Sequence, residues 1–311
     1  MLSPQAFRKK IKEVFEKQYS PSLMEIEERV LKCFHLIPSE FSYALFKKEL
    51  YASNAVGFYD EKFSKALYLM KLPNESLMEL ALVHELRHAL QDQNFSFERI
   101  LKENDLSFSD NSITAMALLE GDATFTTFLY FGKENIDLRQ MLNPNLLFVP
   151  PSFKSIPSFL KHQLVEPYIA GFEFIRKKFK QGGWRKIFEL FNDPPRFFTQ
   201  LLESQIPYEE DPSLREKGYS FVTRLGYFFY QHLIGERAKS IRADVLLFDP
   251  QKEEMLAKIK AETPEGAEKI YSSLRTRLEN VKKSYKIIIV KLKEEQYDRS
   301  HADKERYDFK H

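Results

Sequence analysis

The chain has 311 residues, a formal net charge of +2, 43% apolar residues and 14% aromatics. That supplies ample material for a buried core, while the near-balanced charge suggests no nucleic-acid or anionic-membrane partner. No run of 18 apolar residues exists, so no transmembrane helix is expected, and the one cysteine, Cys33, excludes an intramolecular disulfide framework.

Pro4 to Tyr19 predicts a basic amphipathic helix with Ala6, Phe7, Ile11, Val14, Phe15 and Tyr19 as its apolar stripe. A second helix is predicted from Leu23 to His35, opened by the capping box Ser22 to Glu25 and closed before Pro38. The two are expected to pack as a pair. The first stretch has basic residues but no apolar run of the kind a signal peptide carries. As the sequence stands, the expected location is cytoplasmic, or exported if a signal segment preceded it.

Val56 to Asp60 and Ala66 to Met70 are short runs rich in β-formers around a loop of hairpin length. A hairpin here offers an edge to which an extended peptide could add as a strand, or simply covers the next helix.

That next helix, Leu77 to Asn94, reads LMELALVHELRHALQDQN. Ser76 to Glu79 forms a capping box that predicts a start at Leu77, and leucine, valine and alanine nearly all round predict a buried helix. At its centre stands His84-Glu85-Leu86-Arg87-His88, the H-E-x-x-H pattern of a helix-borne zinc site. Residues four apart share a helical face, so two imidazoles there can reach one Zn²⁺. Glu85 lies roughly 100° round the helix. Its carboxylate is thereby placed beside the ion as general base toward a zinc-activated water.

A polar connection, Ser96 to Ser109, leads to a helix over Asn111 to Phe131, with Asp110 as N-cap and Gly132 as stop. It carries Ala117-Leu118-Leu119-Glu120-Gly121-Asp122. A carboxylate in such an apolar run is costly to bury unless paired or metal-bound, so Glu120 is the expected third zinc ligand. Gly121 in mid-helix costs about 1 kcal/mol against Ala, which points to close approach of another segment. Asp122 faces roughly the opposite way and is a poor rival as ligand. Asp92 reads as an outer acceptor for a ligand or as a helix-end polar residue. His35, His162, His232 and His301 have no spacing that ties them to the site. The metzincin pattern is excluded, because Gln91 and Asn94 stand where it needs Gly and His.

With His84, Glu85, His88 and a downstream helical Glu120, the chain resembles the gluzincin class of zinc metallopeptidases. It is more closely similar to a prokaryotic group of H-E-x-x-H peptidase-like proteins. The residues that carry the likeness are Gly57 to Asp60, the H-E-L-x-H-A-L-Q-D-Q-x-F run His84 to Phe95, and A-L-x-E-G-D-A-T at Ala117 to Thr124. Looser matches are Pro167 to Phe174, Gly182 to Trp184 and Pro194-Pro195. The likeness spans roughly residues 50 to 235, and the chain departs from the pattern at Arg196 to Gln200 and around Ile234 to Asp244. The resemblance implies a zincin-like core, one zinc ion and a peptide or protein substrate. Since gluzincins use a Tyr or His to stabilise the oxyanion, it also implies Tyr168 as a candidate donor.

Pro157 to Lys180 predicts one or two helices, broken or kinked at Pro167, then a stop at Gly182-Gly183 and a new start at Trp184. Tyr219 to Leu233 predicts an aromatic helix. Tyr227 to Tyr230 within it read as core by default, or as an apolar pocket. Val245 to Phe248 and Met255 to Ile259 predict a second hairpin. Thr263 then caps a helix with Pro264 at its first position, running to about Lys282. Tyr285 to Leu292 alternates as a strand, and the charged stretch from Lys293 predicts a frayed tail.

The expected fold class is α+β and predominantly helical, with small hairpin and sheet elements. Its expected parts are an N-terminal helical pair (1–40), a metallopeptidase-like core (41–240), an appendage (241–292) and the tail (293–311). The expected function is zinc-dependent peptide hydrolysis. The alternatives are a metal-holding, peptide-binding module without useful catalysis, against which the intact Glu85 argues, and a metal-independent helical interaction protein.

Overall fold

Ser3 accepts from the Ala6 amide and Pro4 takes the first helical position, so the first helix, α1 (Pro4–Gln18), begins where its cap places it. The computed structural model describes residues 1–101, 105–142, 149–202, 206–215, 217–249, 251, 254–278, 286–291 and 306–308. After α1 come α2 (Pro21–Cys33), α3 (Tyr43–Asn54), strands β1 (Gly57–Asp60) and β2 (Ala66–Leu69), and α4 (Glu75–Phe95). Then follow α5 (Phe97–Ile100), α6 (Asp110–Tyr130), α7 (Leu138–Met141) and α8 (Ser158–Asn192). The remainder holds β3 (Phe221–Thr223), α9 (Gly226–Ile234), β4 (Ile241–Asp249), β5 (Glu254–Ala261), α10 (Pro264–Leu278), β6 (Lys286–Lys291) and β7 (Arg306–Asp308), with short 3-10 turns between. The described residues are mostly helical with two small sheets, consistent with the α+β expectation.

The chain divides into two compact units. The first comprises 1–28, 40–104 and 112–195. Here α1 lies along α3. Phe7 and Ile11 of α1 pack with Ala52 of α3 and with Met70, and Phe58 and Tyr68 of the hairpin close on the same cluster. The hairpin is antiparallel, pairing Gly57 with Leu69 and Asp60 with Ala66. Leu2 adds a parallel bridge on the β2 side, at Met70. A larger core joins the end of α4 to α6 and α8 through Phe95, Leu118, Leu119, Phe125, Ile169, Phe172 and Phe191.

Four local expectations change, three of them in this unit and the Asp110 cap in the second. Helix α4 starts at Glu75, because Asn74 rather than Ser76 accepts from the Leu77 amide. Its outer leucines, Leu82, Leu86 and Leu90, are exposed, so the helix is not buried all round. Asp110 lies within the first turn of α6, and its carboxylate accepts from the Phe198 amide. Pro167 does not break α8, whose only non-helical residues are Gly182 and Gly183. Proline's fixed φ suits a helix, and the buried Val165 and Ile169 on either side hold that turn against the core.

The second unit comprises 29–39, 105–111 and 196–311. Its sheet has the order β3-β4-β5-β6-β7, with β5 and β6 parallel and the other pairs antiparallel. The hairpin of β4 and β5 forms as predicted, and α10 is the crossover to β6. Thr263 caps α10 by accepting from the Gly266 amide. The predicted helix over 219–233 begins only at Gly226, since Phe221 to Thr223 pair with β4 as strand β3. Tyr227 to Tyr230 are buried core. The end of the helix predicted to about Lys282 and most of the charged tail lie outside the described residues, though Arg306–Asp308 pair with β6.

Candidate metal centre

Two helices bring the candidate ligands together. On α4, His84 and His88 project from one face, their rings edge to face with centroids 4.8 Å apart. On α6, Glu120 points at both. Its Oε2 lies 3.2 Å from His84 Nε2 and 3.4 Å from His88 Nε2, and the two Nε2 atoms are 3.2 Å apart. Three donors bound to Zn²⁺ at about 2.0–2.1 Å in tetrahedral geometry would stand about 3.3–3.4 Å from one another. The triangle therefore already has the dimensions of one face of that tetrahedron. Among the described residues it is the one group of three or more potential ligands close enough to hold a metal ion. His84 and Glu120 keep about a fifth of their side-chain surface exposed, so the group is open to solvent.

The approach of α6 to α8 depends on missing side chains. A Cβ on Gly121 would fall 2.2 Å from the Gly171 carbonyl carbon, and one on Gly171 would fall 1.8 Å from the Ala117 carbonyl oxygen. The helices thus cross backbone to backbone, which is the close approach the sequence predicted for Gly121. Glu120 stands beside this crossing on α6, and Tyr168 stands one turn before Gly171 on α8. Tyr168 thus lies close to the Glu120 carboxylate. Burial, together with that negative charge, pushes the Tyr168 phenol well above its ordinary value.

The charges form a coupled set. Burial alone would raise the Glu120 carboxyl, but His88 and His84 outweigh it and hold it well below the usual carboxylate range. Burial opposes protonation of His88, yet Glu120 and Glu85 push its pKa up to about 9. Glu85 is buried, and its pKa is raised by that burial, against the lowering effect of the two imidazoles.

Glu85 is held between α4 and the hairpin. The Tyr59 backbone of β1 lies close to its carboxylate and acts to lower its pKa. Gly57 makes room for it, since a Cβ there would lie 2.9 Å from Glu85 Cγ and 3.3 Å from its Oε1.

Asp92 is not a partner of the ligands. It accepts from the Tyr59 hydroxyl at 2.9 Å and from Lys65 Nζ at 2.6 Å, so it clamps the hairpin to α4. Asp122 is likewise no ligand. Fully buried, it takes a two-point contact from Arg87, with Nε at 2.7 Å and Nη2 at 3.1 Å. His162 stands 3.6 Å from Glu166 and His232 bonds the Phe228 carbonyl, so neither joins the triangle. His301 lies outside the described residues.

One residue of this neighbourhood escaped the sequence reading. Gln91 is fully buried, and its Oε1 lies 2.8 Å from His88 Nδ1. The usable signal was its position three residues after His88, on the same helical face.

No protein-family model, no curated protein and no solved structure matches the chain.

Proposed function

We propose that the chain is a zinc-dependent metallopeptidase with a zincin-like core in its first unit. The observation that carries this reading is the tetrahedron-sized His84, His88 and Glu120 triangle with the buried carboxylate of Glu85 beside it. Two histidines and one carboxylate, with one side left to solvent, form a donor set of the kind catalytic zinc sites use. When bound there, zinc supplies Lewis acidity, polarising a scissile carbonyl and acidifying water.

The chain's own residues account for the rest. A carboxyl with a raised pKa is a better proton acceptor near neutrality, and Glu85 has that shift from burial. It takes the proton of the attacking water and returns it to the leaving amine. A purely structural metal site needs no such base. Tyr168, close to Glu120, would donate its hydroxyl to a developing oxyanion. The β1 strand, whose Tyr59 backbone lies close to Glu85, borders the site and suits an extended peptide substrate.

The test begins with metal content of protein purified without added metal, measured by plasma mass spectrometry beside His88→Ala and Glu120→Ala. Near-stoichiometric zinc in wild type and its loss in both variants is the expected result. Glu85→Gln should keep the zinc while losing cleavage of a peptide library by at least 100-fold, the scale of one general base. Full activity in Glu85→Gln, or no zinc taken up by the wild type, would refute the reading.

A further inference from the structure

The inference here rests on the metal-site reading and concerns what makes His88 able to serve in it. An imidazole ligates a metal only through a nitrogen that carries no proton. Which nitrogen that is depends on the hydrogen bond made by the other one.

For His88 that bond goes to Gln91, and the direction of the amide decides everything. Gln91 Nε2 lies 2.9 Å from the Leu119 carbonyl oxygen and 2.7 Å from Asp122 Oδ2. The backbone oxygen can only accept. Asp122, held by both arms of Arg87, is a carboxylate and can only accept as well. Both neighbours therefore require the NH₂ end of the amide on their side. Oε1 is left facing His88 Nδ1 at 2.8 Å, and it can only accept. His88 Nδ1 must carry a proton whatever the charge of the ring, so Nε2, which faces Glu120 Oε2 and His84 Nε2, is the nitrogen left for a metal.

We propose that Gln91 is the positioning residue that fixes His88 in its metal-ready tautomer, and that the buried Asp122–Arg87 pair locks the Gln91 amide against flipping. A flipped amide would present NH₂ to Nδ1 and drive the proton onto Nε2, aimed into the ligand triangle. The lock is anchored on a third helix, since the Arg87 guanidinium lies over the Trp184 ring at 4.9 Å. The chain of contacts thus runs His88, Gln91, Asp122, Arg87, Trp184, through α4, α6 and α8. A neutral amide draws the Nδ1 proton less strongly than a carboxylate would, so the ring is oriented without becoming a much stronger base.

The experiment is zinc affinity by chelator competition for wild type, Gln91→Met and Gln91→Glu, with thermal melts of the metal-free proteins alongside. Methionine keeps the length of the side chain and removes the acceptor. Glutamate keeps an acceptor for His88 but sets a carboxylate against Asp122 and the Leu119 carbonyl. Both variants should bind zinc 10- to 100-fold more weakly, the usual effect of losing such a partner. In zinc-loaded wild type, NMR should show a His88 Nδ1 proton protected from exchange, a readout that needs no variant. Affinity in Gln91→Met within twofold of wild type, or an unprotected Nδ1 proton in the zinc-loaded protein, would overturn the inference and leave the metal site standing. A lowered melting temperature with unchanged affinity would do the same, reducing Gln91 to a packing role. Failure of the wild type itself to take up zinc would overturn the metallopeptidase reading and this inference together.

Discussion

Gly171→Ala puts one methyl group into the tightest crossing near the site. The new Cβ would stand 1.8 Å from the Ala117 carbonyl oxygen, 2.7 Å from its carbon and 3.0 Å from Gly121 Cα. Carbon and oxygen normally approach no closer than about 3.3 Å, so α6 and α8 would have to separate by about 1.5 Å. The obstacle is backbone on α6, and no side chain can rotate out of the way. Overpacking of this kind costs about 1–3 kcal/mol and at times more, whereas alanine returns about 1 kcal/mol through helix propensity. With rigid backbone on the far side the upper end of the range applies, and the net loss is about 2 kcal/mol or more. At about 2–4 °C per kcal/mol for a domain of 150–250 residues, the melting temperature should fall by about 4–8 °C. Far-UV circular dichroism of the metal-free variant measures it. Zinc affinity should fall as well, because Glu120 and Tyr168 flank the crossing on its two sides. A variant that melts at or above the wild-type temperature would refute the reasoning, since only propensity would then be acting and the helices would not be in contact.

Leu86→Lys should change stability by less than about 0.5 kcal/mol, as surface substitutions do, because Leu86 is 48% exposed on the outer face of α4; a large loss in urea unfolding would show that face to be covered. A pH effect is expected from the second unit. Burial raises Asp110 and Asp244 to about 7, with the Arg224 charge and the Phe198 amide pulling Asp110 down and Asp105 pushing it up. Asp110 also raises Asp244, while the Leu225 and Gly226 amides pull it down. Both folded values exceed the unfolded value of about 3.9, so the folded state binds more protons than the unfolded chain between them. Stability of this unit should therefore be greatest below about pH 4 as far as these groups are concerned, decline as pH rises, and level off above about pH 7. Asp110→Asn keeps an oxygen for the Phe198 amide, and it should flatten the decline seen by denaturant unfolding between about pH 4 and 7; an unchanged slope would count against the assignment.

The candidate ligand group was legible because it rests on local geometry. His84 and His88 share a face by helical period alone, and Glu120 is a carboxylate in an apolar run with a glycine beside it. That Gly121 would meet another segment was also readable, but its partner Gly171 lies fifty residues on and no local rule connects them. The misreadings are tertiary in origin. Ser76 and Asn74 both offer a cap to α4, and only the fold chooses between them. Phe221 to Thr223 have helix-compatible neighbours but pair with β4, and that pairing stops the helix at Gly226. Pro167 normally signals a break, yet the core around Val165 and Ile169 overrides it.

The misjudged burial of α4 follows from how its sides are used. Apolar residues all round suggest a helix sunk in hydrocarbon, but the inward surface of α4 is largely polar. His84 and His88 face Glu120, Glu85 lies under β1, Gln91 and Arg87 reach Asp122, and Asp92 grips the hairpin. Each of these is a buried or half-buried polar group that would be costly without its partner, so together they fix the rotation of the helix about its axis. The leucines take what remains, and Leu82, Leu86 and Leu90 fall outside. The register of the site is thus set by polar contacts and hardly by apolar packing. It follows that substitutions should divide sharply along this one helix. Gln91→Met, which removes one amide, should weaken zinc binding 10- to 100-fold, whereas Leu86→Lys, one residue from Glu85, should leave zinc affinity unchanged. Equal sensitivity of the two positions would mean that hydrophobic burial orients α4, and the polar account would fail.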